Sequence, residues 1–280
     1  MNILFCGDSH AEDGVLIATL SILKNYQKPL HFYVLTMTAK NVTKTFSPFS
    51  MQAIKVIEKQ LKDINSESTI KLIDITDLYQ KNPPRANQNT RFTPYALIRL
   101  YADEIPDLPD RLLYLDDDII VRQSITDFYN QDLTNVEFVG VLDYYGRWFY
   151  HDEFKAFDYV NSGVLLLNMA EIKRTHLFKK VRHLIQTREM LLPDQAALNK
   201  LATEKRIAPR KFNEQHRLQP DTVIQHFTTS FRFFPYFHTV TIKPWDIDKV
   251  HNTLKIHEYD DILNKYLELK PELKKGDSSK

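Results

Sequence analysis

Apolar runs of strand length alternate with longer apolar or amphipathic stretches along most of the chain. The first run, NILFCGD (residues 2–8), is ended by Gly7 and followed by DGVLIATLSILKNY (13–26), long and apolar enough for a buried helix. LHFYVLT (30–36) reads as a second strand, so a strand–helix–strand unit fills the beginning of the chain. Strands that are apolar on both faces belong to a parallel sheet covered by helices. SMQAIKVIEKQLKDI (50–64) places Ile54, Ile57 and Leu61 at helical spacing behind Ser50, a candidate N-cap, and TIKLIDI (69–75) supplies a third strand. The alternation predicts an α/β fold.

Residues 80–92, QKNPPRANQNTRF, are polar and Pro-rich and predict a loop. TPYALIRLYADEI (93–105) predicts a helix with Pro94 near its start and Arg99 within it. VEFVGVLD (136–143) and YVNSGVLLLNM (159–169) read as strands, and THLFKKVRHLIQT (175–187) as an amphipathic helix with Leu177, Val181, Leu184 and Ile185 on one face. LPDQAALNKLA (192–202) predicts a short helix with Asp194 in its first turn. TVIQHF (222–227) is a further strand, after which the texture turns aromatic in TSFRFFPYFHTVTIKPW (229–245). YDDILNKYLELK (259–270) predicts a closing helix, and KPELKKGDSSK (270–280) a frayed tail. The expected organisation is one catalytic domain over residues 1–246 and a helical extension with a tail over 247–280.

Composition narrows the function classes. With 280 residues, 43% hydrophobic and 26% charged, the chain is that of a folded globular protein. Its 37 basic and 36 acidic residues leave a formal charge of +1, which gives no global field toward nucleic acid or an anionic membrane. Any anionic ligand needs a local site. The single cysteine, Cys6, excludes an internal disulfide and fits a reducing compartment. The N-terminus lacks the basic segment of a signal peptide, and no apolar run approaches the roughly 18 residues needed to cross a bilayer. The expected location is the cytoplasm, with contact at the inner face of the membrane left open.

The chemistry concentrates in RLLYLDDDIIV (111–121), where three aspartates interrupt an apolar run. If the strand continues through them, Asp116 and Asp118 face one way and Asp117 the other. Two carboxylates so close do not both stay ionised without a cation or a hydrogen-bond network. Mg²⁺ or Mn²⁺ resolves that conflict, since such metals take one or two protein carboxylates while substrate phosphates complete the shell. The competing reading is a solvated turn at a strand end. The glycine that an EF-hand loop requires after its third ligand is missing, and a phosphohydrolase built on an aspartyl nucleophile remains a rival.

These residues belong to an ordered set. NILFCGD ending in Asp8, Arg99 placed 17 residues before Asp116, LLYLDDDIIV, VNSGVLLLN, PDQAALN, IQHF and KPW together resemble the family 8 retaining glycosyltransferases, the group that holds bacterial lipopolysaccharide galactosyltransferases and glycogenin. The resemblance covers roughly residues 1–246 and implies a GT-A-like, Rossmann-type fold with a mixed, mostly parallel sheet. It implies Mn²⁺, with Mg²⁺ as the alternative, held by Asp116, Asp118 and His226, and a UDP-galactose or UDP-glucose donor. Lys243 would meet the diphosphate, Arg99 the donor sugar and phosphate, and Asp8 and His10 the region of the base. Asp117 falls within the donor-binding segment. Asn161 and Asp194 would bond sugar hydroxyls, and Gln195 would lie nearest the reacting carbon.

The stretch between His226 and KPW is longer than the family pattern, which keeps His238 open as an alternative ligand. The resemblance implies a hexosyltransferase acting on a glycan, glycolipid or glycoprotein acceptor. The alternative function is a catalytically silent UDP-sugar- or glycan-binding protein on the same scaffold.

Overall fold

In the computed structural model, residues 1–40, 45–87, 94–145, 158–190, 192–232 and 238–274 are described. The chain runs through β1 (Asn2–Cys6), α1 (Glu12–Asn25), β2 (His31–Thr36), α2 (Met51–Ile64), β3 (Thr69–Asp74), a 3₁₀ segment (Pro94–Glu104), β4 (Arg111–Leu115) and β5 (Ile119–Val121). It continues through β6 (Phe138–Leu142), β7 (Val160–Asn168), α3 (Leu177–Thr187), α4 (Pro193–Leu201), β8 (Lys205–Ala208), β9 (Ile224–His226), β10 (Ser230–Arg232), β11 (His238–Val240), α5 (Ile247–Asn252) and α6 (Asp260–Leu273), with further short helices and a two-stranded pair between.

A seven-stranded sheet has the order β8–β6–β7–β4–β1–β2–β3. Strands β4, β1, β2 and β3 pair in parallel, as do β6 and β8, while β7 runs antiparallel between β4 and β6. The fold is thus the α/β arrangement that the hydrophobic pattern predicts, with the mixed, mostly parallel sheet that the family resemblance implies. Alternation along β1 sends Ile3 and Phe5 to a core shared with α1, α2 and α6, and Leu4 to a second core shared with the 3₁₀ segment, α3 and α4. Reversal of β7 brings its first residues, Asn161 to Gly163, beside the C-terminal end of β4, with Leu115 in register with Val164. Open α/β sheets bind ligands at that edge.

Several elements form as the sequence predicts, with local causes visible. Ser50 caps α2, its hydroxyl accepting a bond from the Ala53 amide at 3.0 Å. Leu177, Val181 and Ile185 of α3 are buried, with Arg182 among them. Within the predicted loop 80–92, Arg85–Asn87 forms a 3₁₀ turn, and residues 88–92 lie outside the described residues.

Two elements differ from expectation. The helix predicted over 93–105 is 3₁₀ from Pro94 to Glu104, and its side chains and one carbonyl are tied to other segments. The Arg182 guanidinium takes the Leu100 carbonyl, and the Tyr95 and Tyr101 hydroxyls reach out to the Met37 and Asn82 carbonyls at 2.6 Å each. Part of the tail predicted from 270 is helix, and residues 275–280 lie outside the described residues. Helix α6 continues through Pro271 to Leu273, since Leu269 and Leu273 are buried and the Gln52 amide bonds the Glu272 carbonyl at 2.9 Å. Among the described residues no helix is long and apolar enough to cross a membrane.

Candidate functional site

The three aspartates do not continue a strand. Strand β4 stops at Leu115, Asp117 and Asp118 form a turn, and β5 leaves the main sheet to pair antiparallel with β9. One edge of β5 is completed by β9 and the other by α1: the Ser21 hydroxyl accepts from the Val121 amide at 2.9 Å, and the Asn25 side chain donates to the Val121 carbonyl at 3.1 Å. The alternation expected of Asp116, Asp117 and Asp118 is therefore replaced by turn geometry, which still brings Asp116 and Asp118 to one place. Pairing of β5 with β9 sets His226 opposite Ile119, and the Phe227 amide donates to the Asp118 carbonyl at 2.9 Å.

Ligand atoms of Asp116, Asp118 and His226 lie within 4.8 Å of one another. His226 Nε2 stands 3.0 Å from Asp118 Oδ1 and 3.6 Å from Asp116 Oδ2, and the Lys243 ammonium bonds Asp118 Oδ2. On its other side the imidazole meets Asn213 Oδ1 at 3.0 Å through Nδ1, which leaves Nε2 aimed at the carboxylates. Asn213 in turn donates to Asn161 Oδ1 at 3.0 Å. Space for this cluster comes from Gly163, where a Cβ would lie 2.2 Å from His226 Cε1 and 2.5 Å from Asp116 Oδ2.

Electrostatics follow from that packing. Burial would raise the Asp118 pKa, but Lys243 and His226 outweigh it and hold the carboxyl well below its ordinary value. Burial would lower the pKa of His226, and Asp118 and Asp116 reverse that and raise it. Asp117 goes the other way: burial and the charges of Asp118 and Asp116 push its pKa well above the carboxylate range. The three carboxyls are thus not equivalent.

A divalent cation fits these residues. Two carboxylates and an imidazole are a donor set for Mn²⁺ or a similar metal. Asp118 Oδ1 is buried yet accepts no well-aligned hydrogen bond, and the glycine at 163 keeps the cradle open.

Arg99 links this cluster to the helix α4. Its guanidinium lies 3.6 Å from Asp116 Oδ1 and 2.9 Å from Asp194 Oδ2, donates to the Ser162 carbonyl at 2.5 Å, and stacks on the Tyr114 ring at 4.1 Å. Burial would lower its pKa, and Tyr114, Asp116 and Asp194 more than restore it, so the charge is permanent. Gln195 is fixed at both ends of its amide, accepting from the Ser162 amide at 2.9 Å and donating to Asp143 Oδ2 at 3.1 Å. Asn161 donates to the same Asp143 oxygen at 2.9 Å.

The remaining candidates are placed as follows. Asp8 is buried at the end of β1 and accepts from the backbone and ring of His10, whose side chain is 83% exposed. His238 starts β11, which pairs with β10 in a hairpin that sets it opposite Arg232. Residues 233–237 of the aromatic stretch lie outside the described residues. Between His226 and Lys243, the described residues of β10 and β11 pair antiparallel, and Lys243 then meets Asp118. Sequence reasoning missed Tyr114, whose hydroxyl donates to Asp116 Oδ1 at 2.5 Å, and Asp143 and Asn213. Asp143 had a signal, since like Asp8 and Asp116 it closes an apolar strand. Asn213 sits in an irregular segment with none.

The sequence pattern of Glycosyl transferase family 8 matches residues 2–249, nearly the whole chain. The chain belongs to that family. A lipopolysaccharide 1,3-galactosyltransferase of Salmonella typhimurium is 28% identical over 247 residues, 83% of this chain and 68% of that protein. A Haemophilus influenzae protein, named a glycosyltransferase by inference, is 25% identical over 190 residues; this match covers 64% of the chain and 52%, about half, of that protein's length. Among solved structures, a galactosyltransferase in complex with donor and acceptor sugar analogues aligns with a TM-score of 0.69 over 97% of this chain and 100% of that one, at 19% identity. The shared fold is the GT-A glycosyltransferase fold, and the edge where Asp8, Asp116 and Asn161 gather is the edge at which open α/β sheets hold their ligands.

Proposed function

We propose that this family 8 chain transfers a hexose from UDP-galactose or UDP-glucose to a glycan, glycolipid or glycoprotein acceptor, with Mn²⁺ and with retention of the anomeric configuration. The observation that carries this reading is the convergence of Asp116, Asp118 and His226 beside Lys243 at the sheet edge. Similarity to the Salmonella galactosyltransferase supports a hexose donor and a saccharide acceptor.

Held by Asp116, Asp118 and His226, Mn²⁺ would supply Lewis-acid stabilisation of the charge on a departing diphosphate. Imidazole in the set favours Mn²⁺ over Mg²⁺. The chain's own residues do the rest. Lys243, kept charged by Asp118, adds a cation for the diphosphate. Arg99, its donors committed to Asp194, Asp116 and Ser162, fixes both carboxylates in direction so that they need not reorganise during reaction. Asp194 and Asn161 face the sugar, and Gln195, clamped between Ser162 and Asp143, presents an immobile amide to the reacting carbon. An amide is a poor nucleophile, so its role is positioning and stabilisation of positive charge. Asp8, with His10, marks the region for the base.

The test is UDP release from UDP-galactose and UDP-glucose offered with a set of saccharide acceptors, each with and without Mn²⁺, followed by NMR of the glycoside formed. Mn²⁺-dependent release with an α-linked product is expected. Absence of release from both donors contradicts the transferase reading, and a β-linked product contradicts retention.

A further inference from the structure

We propose a second metal site, for Zn²⁺ or a similar transition ion, formed by His251, His257 and Asp260 where α5, its following loop and α6 meet. His251 Nε2 stands 2.7 Å from Asp260 Oδ1, and His257 Nδ1 stands 3.5 Å from Asp260 Oδ2. The two imidazoles stack with centroids 4.5 Å apart and planes at 22°. One ligand atom from each of the three residues lies within 4.8 Å of the others. Donors around a tetrahedral Zn²⁺, each about 2.0–2.1 Å from the ion, are separated by about 3.3 Å, so closing on one ion requires the stacked imidazoles to rotate until a nitrogen of each points at it.

The local charges point to this carboxylate and no other. Glu258 is engaged by Arg122, and Asp261 by Lys24 at 2.6 Å, which leaves Asp260 as the acid turned to both imidazoles. Lys255, at φ 59°, bends the loop that returns His257 toward His251. Side chains of His251, His257 and Asp260 are 27%, 65% and 43% exposed, so an ion there keeps solvent in its remaining positions. Two imidazoles with one carboxylate favour Zn²⁺, Ni²⁺ or Cu²⁺ over Mg²⁺ and Ca²⁺, which prefer oxygen donors. Such an ion ties the start of α6 to α5, and it stabilises the folded chain by mass action.

Equilibrium dialysis of the full chain against Zn²⁺ alone, with thermal unfolding in parallel, tests the site. Because Asp116, Asp118 and His226 also bind divalent ions in this account, the wild type is compared with His226→Ala, with His257→Ala and with the double variant. His226→Ala is expected to retain a Zn²⁺ ion and a Zn²⁺-dependent rise in Tm. His257→Ala, a change at an exposed side chain, is expected to remove one ion from the wild type and to weaken the site in His226→Ala at least tenfold. Zn²⁺ stoichiometry and Tm shift that survive His257→Ala in both backgrounds overturn the proposal, and so does a wild type that binds no more Zn²⁺ than His257→Ala.

Discussion

Asp118 is paired at the sheet edge with both Lys243 and His226, and one of its oxygens is left without a well-aligned hydrogen bond. The supporting residues are as specific. Asn213 orients His226 through Nδ1, and loss of such a partner typically weakens metal binding about 10- to 100-fold. Asn213→Ala is expected to raise the Mn²⁺ concentration for half-maximal UDP release by that factor, with the rate at saturating Mn²⁺ less affected. Gly163→Ala places a methyl group inside the contact distance of both His226 and Asp116, so Mn²⁺ binding measured by calorimetry is expected to disappear. At this scale the pair Asp116 and Asp118 was legible in the acidic run itself, whereas His226 and Lys243 came only through the family resemblance, which left His238 open beside His226. Tyr114 and Asn213 were not legible: Tyr114 reads as one more apolar residue of its strand although its hydroxyl bonds Asp116 two residues on, and Asn213 reaches His226 from an irregular segment.

The elements decide where those residues meet. Strand β5 was not legible as a separate element, because Leu115 and Ile119 are both apolar and the run reads as continuous. What breaks it is tertiary: β9 and the side chains of α1 offer β5 a different set of partners. Ser21→Ala leaves the buried Val121 amide without its acceptor, and a loss of about 1–3 kcal/mol in urea unfolding is expected. The 3₁₀ segment shows the same override of local pattern. Its apolar spacing fits a helix, yet Arg182, held by Asp103 and Glu104, claims a carbonyl of that segment. In contrast β1, β2, β3 and α2 were legible from their own hydrophobic patterns, whereas the short, half-polar edge strand β8, which pairs in parallel with β6, was not.

Across the whole molecule, α6 is part of the core that covers α1 and α2: Leu263 and Tyr266 are buried in the same cluster as Val15 and Leu61. Leu263→Ala is expected to cost about 2–5 kcal/mol of global stability in a single cooperative transition, measured by denaturant unfolding. Reversed strand β7 and hairpin β10–β11 serve the site in the same way, each returning the chain to the edge where β1 and β4 end. The central claim is that this edge assembles a metal-dependent donor site in which the three aspartates differ. The direct measurement is Mn²⁺-dependent UDP release by Asp116→Asn, Asp117→Asn and Asp118→Asn beside the wild type. Asp117, which is not among the converging ligand residues, is expected to tolerate Asn with activity close to wild type, while Asp116→Asn and Asp118→Asn lose it. Equal damage from all three, or full turnover by Asp118→Asn, would contradict the account.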